Sequence, residues 1–263
     1  MPIPIQTITT PRFTMDFFSF GTGKTPCVIL PGASVRSVML SADAVTALYR
    51  DYTEEYTFYV FDKKREMQLG YDALAMADDT AEAMDLLGIR GACVFGASLG
   101  GMIAQWLAIR HPELVGKLAL CSTLLCQNDT SRVVFDNWIR LSDSGDAEAL
   151  DRAVWACVYS PAYYQKYQTI FEGMTGKATP EEVQQFGIQI RACRTFDAQD
   201  QVNKIKCPVQ VVGTRDDATV SGDSSPILAK ALGCELYLYD GYGHAVYDEA
   251  TDYPGRMMAF FAE

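Results

Sequence analysis

Three kinds of residue in this chain could together activate a hydroxyl group. Ser98 lies in Gly96-Ala97-Ser98-Leu99-Gly100-Gly101, a G-x-S-x-G match that follows the apolar run Ala92 to Phe95 and opens the helical pattern Leu99 to Arg110. A strand that turns this tightly into a helix needs almost no side chain at Gly96 and Gly100, and it holds the serine at the tip of the turn. The free N–H groups of the first helical turn point at that tip, so the Leu99 amide is a natural donor to a developing oxyanion. A serine capping an ordinary helix would give the same short string, so the match gains meaning only from its partners.

A serine hydroxyl is almost entirely protonated at neutral pH and needs a base. The chain has two histidines. His111 precedes Pro112 at a helix end and reads as a solvated terminal residue. His244, in Gly241-Tyr242-Gly243-His244-Ala245, follows the last strand pattern, where a glycine-bordered loop can carry an imidazole over a sheet edge. An imidazole in that role needs an orienting carboxylate, and the run Val209 to Val212 leads into Gly213-Thr214-Arg215-Asp216-Asp217. Both aspartates qualify chemically. The order serine, aspartate, histidine suits a nucleophile elbow, and Ser122 and Thr123 after the strand Lys117 to Cys121 cannot supply the charge.

The elements that must position these residues alternate along the chain. Met15 to Phe20, the turn Gly21 to Lys24 and the run Cys27 to Leu30 read as a hairpin feeding a buried strand. Phe58 to Phe61 reads as a strand that stops at Asp62, followed by a helix with Ala77, Ala81, Met84 and Leu87 on one face and Gly88 as its stop. Continuous apolar strands alternating with helices imply an α/β fold with a mostly parallel, doubly wound sheet covered on both faces. Residues 127–203 show only helical periodicity, including a segment where Thr179, Pro180 and Glu182 form a capping-box signature. Strand patterns then return at Val209 to Val212 and Glu235 to Tyr239, before a terminal helix from Tyr253 to Phe261. The expected organisation is a core of residues 1–126 and 204–263 with a helical cap at 127–203.

Bulk properties set the class of partner. Hydrophobic residues make up 49% and charged residues 21% of the 263, as in an ordinary globular protein, and the formal net charge is −11. The longest basic run is the trio Lys63, Lys64 and Arg65. Such a charge repels phosphate backbones and anionic membrane surfaces, which leaves a small-molecule substrate as the expected partner and says nothing of oligomeric state. The eight cysteines are scattered without CxxC or metal-ligand spacing, and Met1 to Thr10 lack the pattern of a signal peptide, so the expectation is a reduced cytoplasmic protein.

Over nearly its whole length the sequence resembles the α/β-hydrolase superfamily. The matching features are Pro31-Gly32-Ala33-Ser34 after an early strand, the Gly96 to Gly101 elbow, His111-Pro112-Glu113 followed by Val115, Gly213-Thr214-Arg215-Asp216, and Gly243-His244 with Asp248 and Glu249 close behind. The resemblance implies a triad of Ser98, His244 and, from the family pattern, Asp216 in preference to Asp217. It also implies an oxyanion hole from the Ala33 and Leu99 amides and a helical cap over the site. Many relatives carry His-Gly where this chain has Pro31-Gly32, so the packing of that loop must differ. Cap aromatics, among them Trp138, Trp155, Tyr159 and Tyr163, are expected to line an apolar acyl or ring pocket. No metal or organic cofactor is implied. The expected reaction is hydrolysis of a small carboxylic ester or lactone through an acyl-enzyme. The alternatives are C–C bond hydrolysis, thioester hydrolysis, cofactor-free perhydrolysis, or a non-catalytic small-molecule receptor.

Overall fold

The computed structural model describes residues 3–263. Eight strands form one sheet: β1 (Gln6–Thr9), β2 (Thr14–Phe20), β3 (Thr25–Leu30), β4 (Tyr56–Lys64), β5 (Ala92–Ala97), β6 (Val115–Cys121), β7 (Val209–Thr214) and β8 (Glu235–Tyr239). Their spatial order is β1-β2-β4-β3-β5-β6-β7-β8, with β1 and β2 antiparallel to their neighbours and all other pairs parallel. The buried central strands, all six residues of β5 among them, account for the uninterrupted apolar runs.

The core helices are α1 (Ala42–Leu48), α2 (Ala73–Leu86) and α3 (Leu99–Arg110) before β6. Between β6 and β7 come α4 (Asp129–Ser144), α5 (Ala147–Val158), α6 (Pro161–Lys166), α7 (Gln168–Met174) and α8 (Pro180–Thr195), and then α9 (Ser224–Leu232), α10 (Val246–Glu249) and α11 (Tyr253–Ala262) close the chain. One apolar core joins the sheet to α2, α3, α9 and the inserted α4 and α8, while a second joins the opposite face to α1 and α11. The capping box at Thr179 and Glu182 forms in full, with Pro180 in the first turn. Among the described residues, no helix is long and apolar enough to cross a membrane.

The early hairpin does not form. β2 and β3 are not neighbours, because β4 lies between them and pairs with both. Aromatic packing selects β4 as the partner: Phe20 stacks on Phe58 with ring centroids 4.8 Å apart, and Tyr49 covers the other side of Phe58 at 5.3 Å. The intervening glycines serve a backbone crossing rather than a two-strand turn. A Cβ on Gly23 would stand 1.9 Å from the Glu55 carbonyl carbon, and Gly21 has φ +90° against Thr53 and Tyr56. β4 also runs past Asp62 to Lys64. Short elements with weak patterns, namely β1, α1, α9 and α10, have no counterpart in the periodicity.

Gly23→Ala should therefore lower stability by about 1–3 kcal/mol, because the clash is with backbone. Gly173→Ala, in α7 with nothing within 4 Å of the added methyl, should be neutral or slightly stabilising. Chemical denaturation midpoints of the two variants test this; equal losses would refute the crossing as the reason for Gly23.

Candidate active site

Ser98 caps α3 with φ 52° and ψ −119°, a region that costs a non-glycine residue about 1–3 kcal/mol. Its surroundings enforce that geometry. A Cβ on Gly100 would lie 1.8 Å from the Leu30 carbonyl oxygen, one on Gly96 2.5 Å from the Gly100 oxygen, and one on Gly101 2.7 Å from the Thr123 side chain. The Ser98 amide donates to the Cys121 carbonyl at 3.0 Å, and Thr123 Oγ1 donates to the Ser98 carbonyl at 2.9 Å. The elbow is thus pinned to the end of β6, and the serine amide is occupied. The Leu99 amide, first in α3, is left with the orphan status of a helix N-terminus.

His244 is 2% exposed, and its Nδ1 lies 2.8 Å from Asp217 Oδ2. A carboxylate acceptor at that distance places the proton on Nδ1 and leaves Nε2 free to accept. Asp217, 7% exposed, is itself fixed, since its Oδ1 accepts the amides of Thr219 and Val220 at 2.9 Å each. Asp216 does not reach the imidazole. It is exposed, and its Oδ2 accepts the Gly241 amide at 2.7 Å. The expectation of Asp216 beside His244 is corrected to Asp217, because β7 continues two residues past Val212. Thr214 Oγ1 then donates to the Tyr242 carbonyl, and the turn at Arg215 and Asp216 lies outside the site.

The His244 loop is held against the helical insert. Gly243 admits no side chain, since a Cβ there would approach the Ser160 amide at 2.5 Å. Glu249 accepts the Gly243 and Ser160 amides at 3.2 and 2.8 Å and the Ser160 hydroxyl at 2.6 Å, and the Ala245 amide donates to the Val158 carbonyl at 2.9 Å. The other histidine, His111, is half-buried with its Nε2 2.9 Å from Asp78 Oδ1, so it is hydrogen-bonded to a carboxylate rather than simply solvated.

Two residues absent from the sequence reading as site groups hold the loop that follows β3. Lys63 is buried, and its ammonium donates to the Pro31 carbonyl at 3.1 Å and to the Gly32 carbonyl. Burial pulls its pKa below the usual lysine value. The basic trio is not a patch at all: Lys64 pairs with Asp79 at 3.5 Å and Arg65 with Asp16 at 2.7 Å. From the other side, Gln189 of α8 accepts the Ser34 amide and donates to the Ser34 carbonyl, both at 3.1 Å. Gln185, one turn earlier, brackets Met67 in the same way at 2.8 and 3.2 Å. A glutamine pair at i and i+4 flanked by Phe186, Ile188 and Ile190 is the one sequence signal that could have revealed this clamp.

Ser98 and His244 line one cavity of about 30 Å³ together with Gly32, Ala33 and a roof from the insert that includes Phe135, Trp138 and Phe186. That is room for roughly one water. A second cavity of about 380 Å³ adjoins it, sharing Gly32, Ala33, Val154, Val158 and Tyr247. Of the expected pocket residues, Trp138 lines the small cavity, and Trp155 and Tyr159 line the large one. Tyr163 lines neither and stacks outside on Tyr159 at 5.1 Å, because α6 begins beyond the pocket wall. Among the described residues, no three His, Cys, Asp or Glu side chains converge as metal ligands.

Residues 59–158 match the family model described as the alpha/beta hydrolase fold. A protein named "Putative carbamate hydrolase RutD" from Rhizobium rhizogenes is 34% identical over 190 residues, which is 71% of this chain and 72% of its own. This chain belongs to the α/β-hydrolase superfamily. Solved structures agree in fold: an alpha/beta hydrolase enzyme from a Medee basin deep-sea metagenome library superposes with TM-score 0.87 at 18% identity over 98% of both chains. The enol-lactonase of Burkholderia xenovorans LB400 gives 0.84 at 19% identity, over 98% of this chain and all of that one. The protein is therefore a hydrolase of this fold.

In this hydrolase, Asp217→Asn should remove the far-downfield Nδ1 proton resonance of His244, and Asp216→Asn should leave it in place, as proton NMR of the two variants would read. Gln189→Ala, which leaves a peptide group of the β3 loop without its partner, should cost about 2 kcal/mol of stability on denaturation. A cost indistinguishable from zero would mean that the clamp is not an energetic contact.

Proposed function

We propose that this α/β-hydrolase is a serine hydrolase that cleaves a small carboxylic ester or lactone through an acyl-enzyme, with Ser98 as nucleophile, His244 as base and Asp217 as the orienting acid. The observation that carries the reading is the buried contact of Asp217 with His244 Nδ1, on an imidazole that shares one cavity with the strained Ser98.

In the first half-reaction Ser98 Oγ attacks the substrate carbonyl while His244 Nε2 takes the hydroxyl proton. The oxyanion is met by the amides of Ala33 and Leu99. Collapse of the tetrahedral adduct breaks the bond to the leaving alkoxide, which departs with the proton from His244. Water, deprotonated by the same imidazole, then attacks the acyl-enzyme, and the acid leaves as Ser98 regains its proton. Segment 127–203 acts as the cap, since its Phe135, Trp138 and Phe186 stand over Ser98. It thereby limits the acyl part to small groups.

A second reading, hydrolysis of a carbamate, is favoured by the name of the relative at 34% identity. It uses the same residues, with a carbamoyl group on Ser98 in place of an acyl group.

The test is labelling and turnover together. Ser98 should react rapidly with a fluorophosphonate, and Ser98→Ala should abolish both labelling and hydrolysis across a panel of short esters, lactones and a carbamate. Asp217→Asn should cost about a thousandfold or more in kcat, and Asp216→Asn much less. Ester turnover in Ser98→Ala within tenfold of the parent would sink the nucleophile assignment, and an unlabelled serine would favour a receptor.

A further inference from the structure

The larger cavity beside Ser98 is polarised in a way that the reaction itself does not require. Its charged lining residues are Arg36, Asp151 and Asp248. Arg36 is already matched, since it forms a two-pronged contact with Asp151 at 3.3 Å on each arm and donates to the Met174 carbonyl at 2.8 Å. Asp151 also accepts the Gly176 amide at 3.0 Å. Among the described residues Asp248 has no cationic partner, and it accepts one long hydrogen bond, 3.5 Å from Tyr159 Oη. Asp248 is exposed where it lines the cavity, and the protein packed around it raises its pKa to about 6 by desolvation.

Around that carboxyl the wall is aromatic: Tyr49, Phe95, Trp155, Tyr159 and Tyr247 all line the same space. Aromatic rings with one carboxylate among them form the environment that attracts an organic cation, through the negative potential of the ring faces and the charge of the carboxylate. An anionic or purely apolar ligand would gain nothing from Asp248 and would bury its charge unpaired. The cavity leads directly to the chemistry, because Tyr247 lines both spaces and its hydroxyl lies 3.7 Å from where a Gly32 Cβ would stand, itself 3.1 Å from Ser98 Cβ. Exposed Leu40, Leu48 and Met174 form its rim, where it opens to solvent.

The geometry points to a substrate arm that carries a protonated amine or quaternary ammonium, seated in this chamber between the aromatic faces and Asp248 while its carbonyl lies at Ser98. This substrate class rests on the serine-hydrolase reading, and the experiment keeps the two separable. Turnover is compared for p-nitrophenyl ω-(trimethylammonio)alkanoates with two to five methylenes against their ω-tert-butyl isosteres, which match them in shape and lack the charge. Binding is compared for choline against 3,3-dimethylbutan-1-ol in the Ser98→Ala protein, where no chemistry occurs.

The expected result is a kcat/KM at least tenfold higher for the cation at one or more chain lengths, and tighter binding of choline by a similar factor. Asp248→Asn should bring both ratios to within about twofold of one. Neutral probes that bind and turn over as well as the cations, or ratios unmoved by Asp248→Asn, overturn the proposal. If no ester turns over and Ser98 resists the fluorophosphonate, the hydrolase reading fails instead, and the choline comparison alone decides whether the chamber selects cations.

Discussion

Everything at the site depends on how closely two carbonyl edges of the sheet approach the start of α3. The Leu30 carbonyl at the end of β3 lies where a Gly100 side chain would begin, and the Cys121 carbonyl at the end of β6 takes the amide of Ser98. A helix that begins this close to both strands cannot leave residue 98 in a relaxed backbone state. The positive φ of Ser98 is the result, and it is stabilised by the packing of the fully buried Leu99, Met102 and Leu107 of α3. The strain lifts the hydroxyl clear of its own helix. It also leaves the Leu99 amide without a backbone acceptor, so one steric constraint sets both the placement of the Ser98 hydroxyl and one of the two amides of the proposed oxyanion hole.

The other half, the loop from Pro31 to Ser34, has no regular structure and is instead held by side chains from two directions. Lys63 pulls on its carbonyls from β4, and Gln189 brackets the Ser34 peptide from α8. A desolvated ammonium is expensive to keep, and its placement on two carbonyls is reasonable only if it fixes something. What it fixes is the direction of the adjoining Ala33 amide.

How much of this was legible follows from how local each cause is. The elbow could be read directly, because its glycines, its apolar strand and its helix lie within twenty residues. The sheet's doubly wound character was equally plain from continuous apolar runs. The hairpin of β2 and β3 failed because adjacency in sequence does not compete with the stacking of Phe20 on Phe58, a contact 38 positions away that no period reveals. The carboxylate that lies beside His244 was missed by one residue. Asp216 and Asp217 are chemically identical, and only the extra length of β7 decides which one clears the sheet edge on the side of His244. Lys63, Gln185 and Gln189 were missed for a different reason: their partners are backbone groups, which every residue carries, so the spacing of the two glutamines marks a shared helix face but not what it binds.

The same contacts constrain how a substrate enters. The insert is tied to the Pro31 to Ser34 loop through Gln189, to the core through Gln185, and to the His244 segment through Ser160, which donates to Glu249, and through the Val158 carbonyl. Lifting α8 away to admit a ligand would therefore loosen the Ala33 and His244 positions together, which are the groups that must be preorganised for electrostatic stabilisation to count. Entry through the chamber beyond Tyr247 disturbs none of these ties, since its rim of Leu40, Leu48 and Met174 is already exposed. The tight space around Ser98 then has to accept only the reacting carbonyl, with the bulk of the molecule left behind in the chamber. On the proposed reading, selectivity for the arm and precision at the carbonyl are separated between two adjoining spaces, and the helical insert need not lift for the reaction.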